Sequence, residues 1–132
     1  MTLSDIVKWI KANTSVGDGI SAGRINKDKE RYIGVYNRRQ SGKQRICIGG
    51  PANTRYQRRD VSILIHWGKS PAAAEAKAQE VHSLLYGKSL IVMGNTEVVS
   101  VDPGAAPIPV GVDEHGIYEY VIEASIIWQK GA

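Results

Sequence analysis

The stretch 56–87 constrains the fold most. Val61, Ile63, Ile65 and Trp67 alternate there with Asp60, Ser62, Leu64 and His66, the period of two of a strand with one face against a core. The second face is only partly polar, which predicts a central strand. Ser70 is a good N-cap, and Pro71 suits the first helical position, where its missing N–H costs nothing. The residues that follow are strong helix formers, and Ala74, Ala78, Val81 and Leu85 fall on one stripe. Gly87 stands where a helix ends. The spacing predicts a strand over 57–67 and a helix over 71–86 lying across a sheet, with Ile63, Ile65, Val81, Leu85, Ile122 and Ile126 buried.

The rest of the chain reads as more sheet under that helix. Thr2 can cap a short helix over 3–10 with Asp5 in its first turn, and Leu3, Ile6, Val7 and Ile10 form its apolar stripe. A Gly/Ser loop over 15–23 precedes a short strand over 21–25. Residues 31–37 and 44–48 read as a hairpin joined by the basic turn 38–43, and Gly49, Gly50 and Pro51 break the chain. After the helix, 90–93 and 97–101 flank Gly94 and Asn95, a tight turn. A Pro/Gly loop over 102–109 and a turn over 113–116 lead to a long last strand. In it Tyr118, Tyr120, Ile122, Ala124, Ile126 and Trp128 share one face, and Glu119, Glu123, Ser125 and Gln129 share the other. The expected fold class is α+β: a single domain over 1–132, with a largely antiparallel or mixed sheet, an N-terminal helix and one longer helix packed on it.

Charge is distributed unevenly. Residues 24–59 hold eleven Lys/Arg against Asp28 and Glu30, a formal +9; residues 60–132 hold four Lys and nine acids, a formal −5. Such a division suggests a basic surface for an acidic partner. The single Cys47 excludes an internal disulfide and a cysteine-based metal site; between Ile46 and Ile48 it reads as a strand residue. No apolar run is long enough to cross a membrane as a helix, and the N-terminus carries no cleavage signature, so the chain is expected to stay in the cytoplasm where it is made.

Sequence motifs for chemistry fail one by one. Gly68, Lys69 and Ser70, and again Gly87, Lys88 and Ser89, imitate the end of a phosphate-binding loop. The glycine that such a loop needs five residues earlier is Ile63 in one case and His82 in the other. Gly17, Gly19 and Gly23 follow a helix and do not match a dinucleotide fingerprint. His66, His82 and His115 have no partners at metal-ligand spacing, and each reads as structural or solvated. Asp113 and Glu114 beside Gly116 read as turn chemistry, and the carboxylates look scattered on outward faces. No catalytic residue, metal or cofactor is expected.

Nucleic-acid binding is the alternative that the basic stretch raises. Tyr32, Tyr36 and Tyr56 interleave with Arg31, Arg38, Arg39, Arg55, Arg58 and Arg59, and aromatics among cations can stack bases and contact phosphates. No known nucleic-acid module matches, and tyrosine in a strand is ordinarily packing.

The whole layout resembles the small tail terminator proteins of long-tailed bacteriophages, some of them described as phage minor capsid proteins. The resemblance rests on order. A short amphipathic helix (Leu3, Ile6, Val7, Ile10) comes first, then a basic strand pair and the Gly49, Gly50, Pro51 break. Arg58 and Arg59 lead into an apolar strand, and a helix ends in Leu84, Leu85, Tyr86 and Gly87. A Pro-containing loop follows, then Asp113 three residues before Gly116, and a last long strand. It covers nearly the full length, and neck or tail-completion proteins of the same build share it.

What the resemblance implies is a structural virion protein, not an enzyme. Such proteins form a ring, usually of six copies, on the last ring of tail tube protein. The ring stops tube growth and meets the head-side connector protein. It also meets the sheath protein where the tail contracts, and DNA passes through its lumen. The residues expected to contact the ring neighbour or another partner are Arg38, Arg39, Lys43, Arg55, Arg58 and Arg59.

Overall fold

Helix α1 (Leu3–Asn13) starts with a reciprocal cap: the Thr2 hydroxyl accepts from the Asp5 amide at 3.2 Å, and the Asp5 carboxylate accepts from the Thr2 amide at 2.9 Å. The computed structural model describes residues 1–38 and 56–129. Within them follow β1 (Gly19–Ala22), β2 (Arg31–Asn37), β3 (Tyr56–Trp67), α2 (Pro71–Leu85), β4 (Ser89–Met93), β5 (Thr96–Asp102), β6 (Ile108–Val112) and β7 (Tyr118–Gln129).

These strands form one curled mixed sheet, an α+β architecture with both helices on one face. The order is β1-β2-β3-β7-β5-β4, and β6 pairs beside β5's end of the same long strand β7. Only β1 and β2 run parallel. Their connection, residues 23–30, is shorter than the dozen or so residues a parallel crossover ordinarily takes; a strand as short as β1 makes that return possible. As the alternation of 56–67 predicts, β3 is central, paired with β2 on one side and β7 on the other.

The core lies between the sheet and the helices. Ile33, Val35, Val61, Ile63, Ile65, Ile122, Ala124 and Ile126 line the sheet side, and Ile6, Ile10, Ala74, Ala78, Val81 and Leu85 come from the helices. All six residues expected to be buried are buried. Helix α2 has its Ser70 cap, with the hydroxyl accepting from the Ala73 amide at 3.3 Å, and ends before Gly87, whose φ of 72° suits glycine alone. Lys77 is buried within this helix face, its Nζ 4.9 Å from the centre of the Trp67 ring and 3.1 Å from the Thr14 hydroxyl.

Three expectations need correction. The strand expected over 21–25 lies at Gly19–Ala22, because the Ser21 hydroxyl bonds the Arg24 carbonyl and Gly23 at φ 83° turns the chain away. The antiparallel neighbour of β2 is β3, with β1 on its other side; the expected hairpin partner 44–48 lies outside the described residues, as do Cys47 and the Gly49, Gly50, Pro51 break. Residues 108–112 form a strand, where 108–109 were expected to end a loop and 110–112 to run on into the turn at 113–116. Its Pro109 fits because β6 is an outer strand with β7 as its neighbour.

Candidate functional site

The face of the sheet away from the helices carries the polar chemistry. Residues paired across neighbouring strands stand side by side on one face, so the register fixes what meets there. One row runs Gly34, Leu64, Val121, Ile108 and is apolar. Ile25 and Tyr36 close over its first member: a Cβ on Gly34 would lie 2.5 Å from Ile25 Cγ2 and 2.7 Å from Tyr36 Cε2. Burial, and then the nearby Glu119 charge, push the Tyr36 phenol up.

On one side of this row sits an arginine–aspartate network. Arg58 and Asp60 are two apart on β3 and so point the same way. The guanidinium grips the carboxylate with both oxygens engaged, Nε to Oδ1 at 3.0 Å and Nη2 to Oδ2 at 3.1 Å. Ser125 on β7, directly opposite Asp60, donates its hydroxyl to Oδ1 at 2.7 Å. Arg38, at the end of β2, brings Nη2 to 3.8 Å from the same oxygen and 3.3 Å from the Ala124 carbonyl. Burial raises the Asp60 carboxyl, but the hydrogen bonds from Arg58 and Ser125 and the two guanidinium charges outweigh it and hold the group below the usual carboxylate range. Two guanidiniums against one carboxylate leave this network, though not the whole face, with a surplus positive charge.

On the other side of the apolar row lies His66, fully buried. Its Nε2 donates to the Lys29 carbonyl at 3.0 Å, and its Nδ1 lies 3.0 Å from Glu119 Oε2 and 3.7 Å from Asp113 Oδ2. With Nε2 already a donor, the Nδ1–Glu119 contact is a hydrogen bond only with a second proton between them. Asp113 Oδ1 accepts from the His115 and Ile117 amides at 2.9 Å each. Burial raises the Asp113 carboxyl; these amide bonds and the adjacent imidazole charges overcome that and lower it. Beside the cluster is a shallow depression with Lys27, Lys29, Lys69 and His115 set against Asp28 and Glu30.

Of the six residues expected at a contact surface, the structure brings Arg38 and Arg58 together on one carboxylate. Arg59 points to the opposite face, where it donates to the Met1 carbonyl and to Asn37 Oδ1, both at 2.7 Å. Arg39, Lys43 and Arg55 lie outside the described residues. The carboxylates of the outward face are not all scattered: Asp60 is buried between guanidiniums, and Asp113 and Glu119 converge on His66. The Arg-x-Asp spacing of 58 and 60 was the readable signal for the first; the second depends on register between β3 and β7, which no local pattern carries.

This arrangement sets two partly exposed guanidiniums around one buried carboxylate. Asp60, held ionised between guanidiniums, is a poor proton acceptor. Among the described residues no group of three or more His, Cys, Asp or Glu is placed to hold a metal ion, and no helix is long and apolar enough to cross a membrane.

Comparison with known proteins bears on what such a surface serves. One solved structure, which carries no functional name, aligns with 100% of this chain and 97% of its own length at 16% identity, with a TM-score of 0.51; that likeness concerns the fold. No curated protein matches the chain. A family model described as "Bacteriophage tail terminator protein" matches residues 9–130, nearly the whole length. The chain belongs to the bacteriophage tail terminator family.

Proposed function

We propose that this protein caps the head-proximal end of a phage tail tube, or of a phage-tail-like particle, as a ring, ends tube growth, and offers the surface on which head and tail join. Membership of a structural tail family supports a role without catalysis or cofactor. The observation that carries the ring is the charge division. Residues 89–129, which span β4 to β7, contain six acids and no Lys or Arg, whereas 24–59 are formally +9. A ring requires two different, complementary surfaces on every copy, and this division of charge along the chain supports them. Its partners are further copies, six in all, the tail tube protein, the connector protein on the head side, and the sheath protein if the tail contracts. DNA passes through the lumen without being read. Assembly takes place in the host bacterial cytoplasm.

Imaging of tails assembled with and without the protein tests this reading. With it, tails have uniform length and a single added layer at the head-proximal end. Without it, tubes overgrow or fail to join heads. Tails that keep normal length and a complete end in its absence overturn the assignment.

A further inference from the structure

Strand β4 is the outermost strand at one end of the sheet, so among the described residues its outer backbone groups face no other strand. Edge strands are ordinarily protected by a lysine, a proline or an inward charge, and Ser89–Met93 contains none of these. Leu90 is 85% exposed and Val92 is 58% exposed. Leu90 is also, among the described residues, the non-glycine residue with a positive φ, 54°, a conformation that side chains of this kind resist. Backbone strain and apolar exposure therefore coincide at one residue, a pairing found at contact sites. Across the hairpin, Val92 pairs with the exposed Glu97, which sets a carboxylate beside the apolar patch.

The other end of the sheet is its counterpart. Strand β1 is the opposite edge, carries no charged side chain, and is four residues long against five for β4. The loop after it exposes Arg24, Lys27 and Lys29 against Asp28 and Glu30, and Arg31 follows, exposed, at the start of β2. Arginine and lysine stems cover apolar surface while their heads reach a carboxylate. We infer that the outward face of the β4–β5 hairpin, with Leu90, Val92 and Glu97, docks against β1 and the basic loop 24–31 of a second copy. The contact is head-to-tail, so each copy uses both ends of its sheet and the contact repeats around a closed ring. It rests on the ring proposed above and assigns the surfaces that form it.

The test places a photoreactive benzoylphenylalanine at position 90, and separately at 92, in protein assembled onto tails. Irradiation is expected to give an adduct of two copies, with the cross-link falling within 19–31 of the second. Glu97→Lys is expected to lower its yield roughly tenfold by setting like charges together, and adding Lys27→Glu and Lys29→Glu in the same chain to restore it. An adduct with the tube or connector protein, or no adduct from either position on normally capped tails, overturns the contact while leaving the ring intact. Tails whose length ignores the wild-type protein overturn the ring itself.

Discussion

Arg58 and Asp60 are joined by two parallel hydrogen bonds on the open face of the sheet, and Asp60, whose side chain is fully buried, also accepts a hydrogen bond from the Ser125 hydroxyl. A buried carboxylate so held is costly to disturb from one side. Asp60→Ala strands two guanidiniums and is expected to cost about 2–4 kcal/mol of folding stability. Arg58→Ala is expected to cost less, because Arg38 still faces the carboxylate and Arg58 is partly solvated. Urea unfolding of both variants at neutral pH checks the order.

Acid unfolding follows from the same pair of lowered carboxyls. Asp60 and Asp113 both bind protons less readily in the folded chain than in the unfolded one. Their contribution is therefore fully present above the ordinary carboxylate value, about pH 4, and is lost as pH falls through their lower folded values. Urea midpoints measured from pH 6 down to pH 2 are expected to drop, and Asp60→Asn to flatten the drop. An equal slope in that variant contradicts the assignment.

His66 fills a buried position and joins three segments, the loop at Lys29, β3 and β7. His66→Ala removes volume and leaves the Lys29 carbonyl and Glu119 without this partner, at an expected cost of about 2–4 kcal/mol. Amide exchange at 26–31 is expected to accelerate more than exchange in α2. Uniform acceleration across both regions contradicts the local anchoring.

At the β4–β5 turn, Gly94 has φ 62°, and a Cβ there would lie 2.6 Å from Asp5 Oδ1. Gly94→Ala strains the turn and displaces the carboxylate that caps α1, with an expected loss of about 1–2 kcal/mol. Combined with Asp5→Ala, the second loss is expected to be smaller than in the wild-type background, as a double-mutant cycle shows.

DNA binding separates the structural role from the nucleic-acid alternative. Neutralising Arg38 and Arg58 confounds the question, because it unpairs Asp60. Arg39→Ala with Lys43→Ala, from the same basic stretch, is the pair to compare. For a terminator, DNA affinity is weak at physiological salt and does not track tail length across variants. Tight binding at physiological salt, lost in that variant, favours the alternative.

The sequence disclosed the elements whose signal is local. The alternation at 61–67, the Ser70–Pro71 start and the Ala74–Leu85 stripe each reappear as a buried face or a cap. Relations set by register were not legible. Asp113 and Glu119 reach His66 because β7 pairs with β3 and the turn 113–116 folds back on itself, and no spacing along the chain announces that. Strand β6 was hidden by Pro109 and Gly111, which ordinarily argue against a strand. Ile108, Val110 and Val112 do alternate at the period of a strand, but all three are exposed, so no buried face marks them. Lys77 was invisible because its burial depends on Trp67 and Thr14, residues of two other segments.

Helix α1 touches β1 and β2 at one end of the sheet and β4 at the other. A barrel closes on a ladder of hydrogen bonds, in which slippage moves a whole residue at a time. This sheet closes on the side chains of a helix, and such packing adjusts by fractions of an ångström. Its curvature is therefore expected to respond to the bulk of the buried Ile6 and Ile10, which makes the angle between its β1 and β4 ends a continuous quantity that sequence can trim without re-registering any strand.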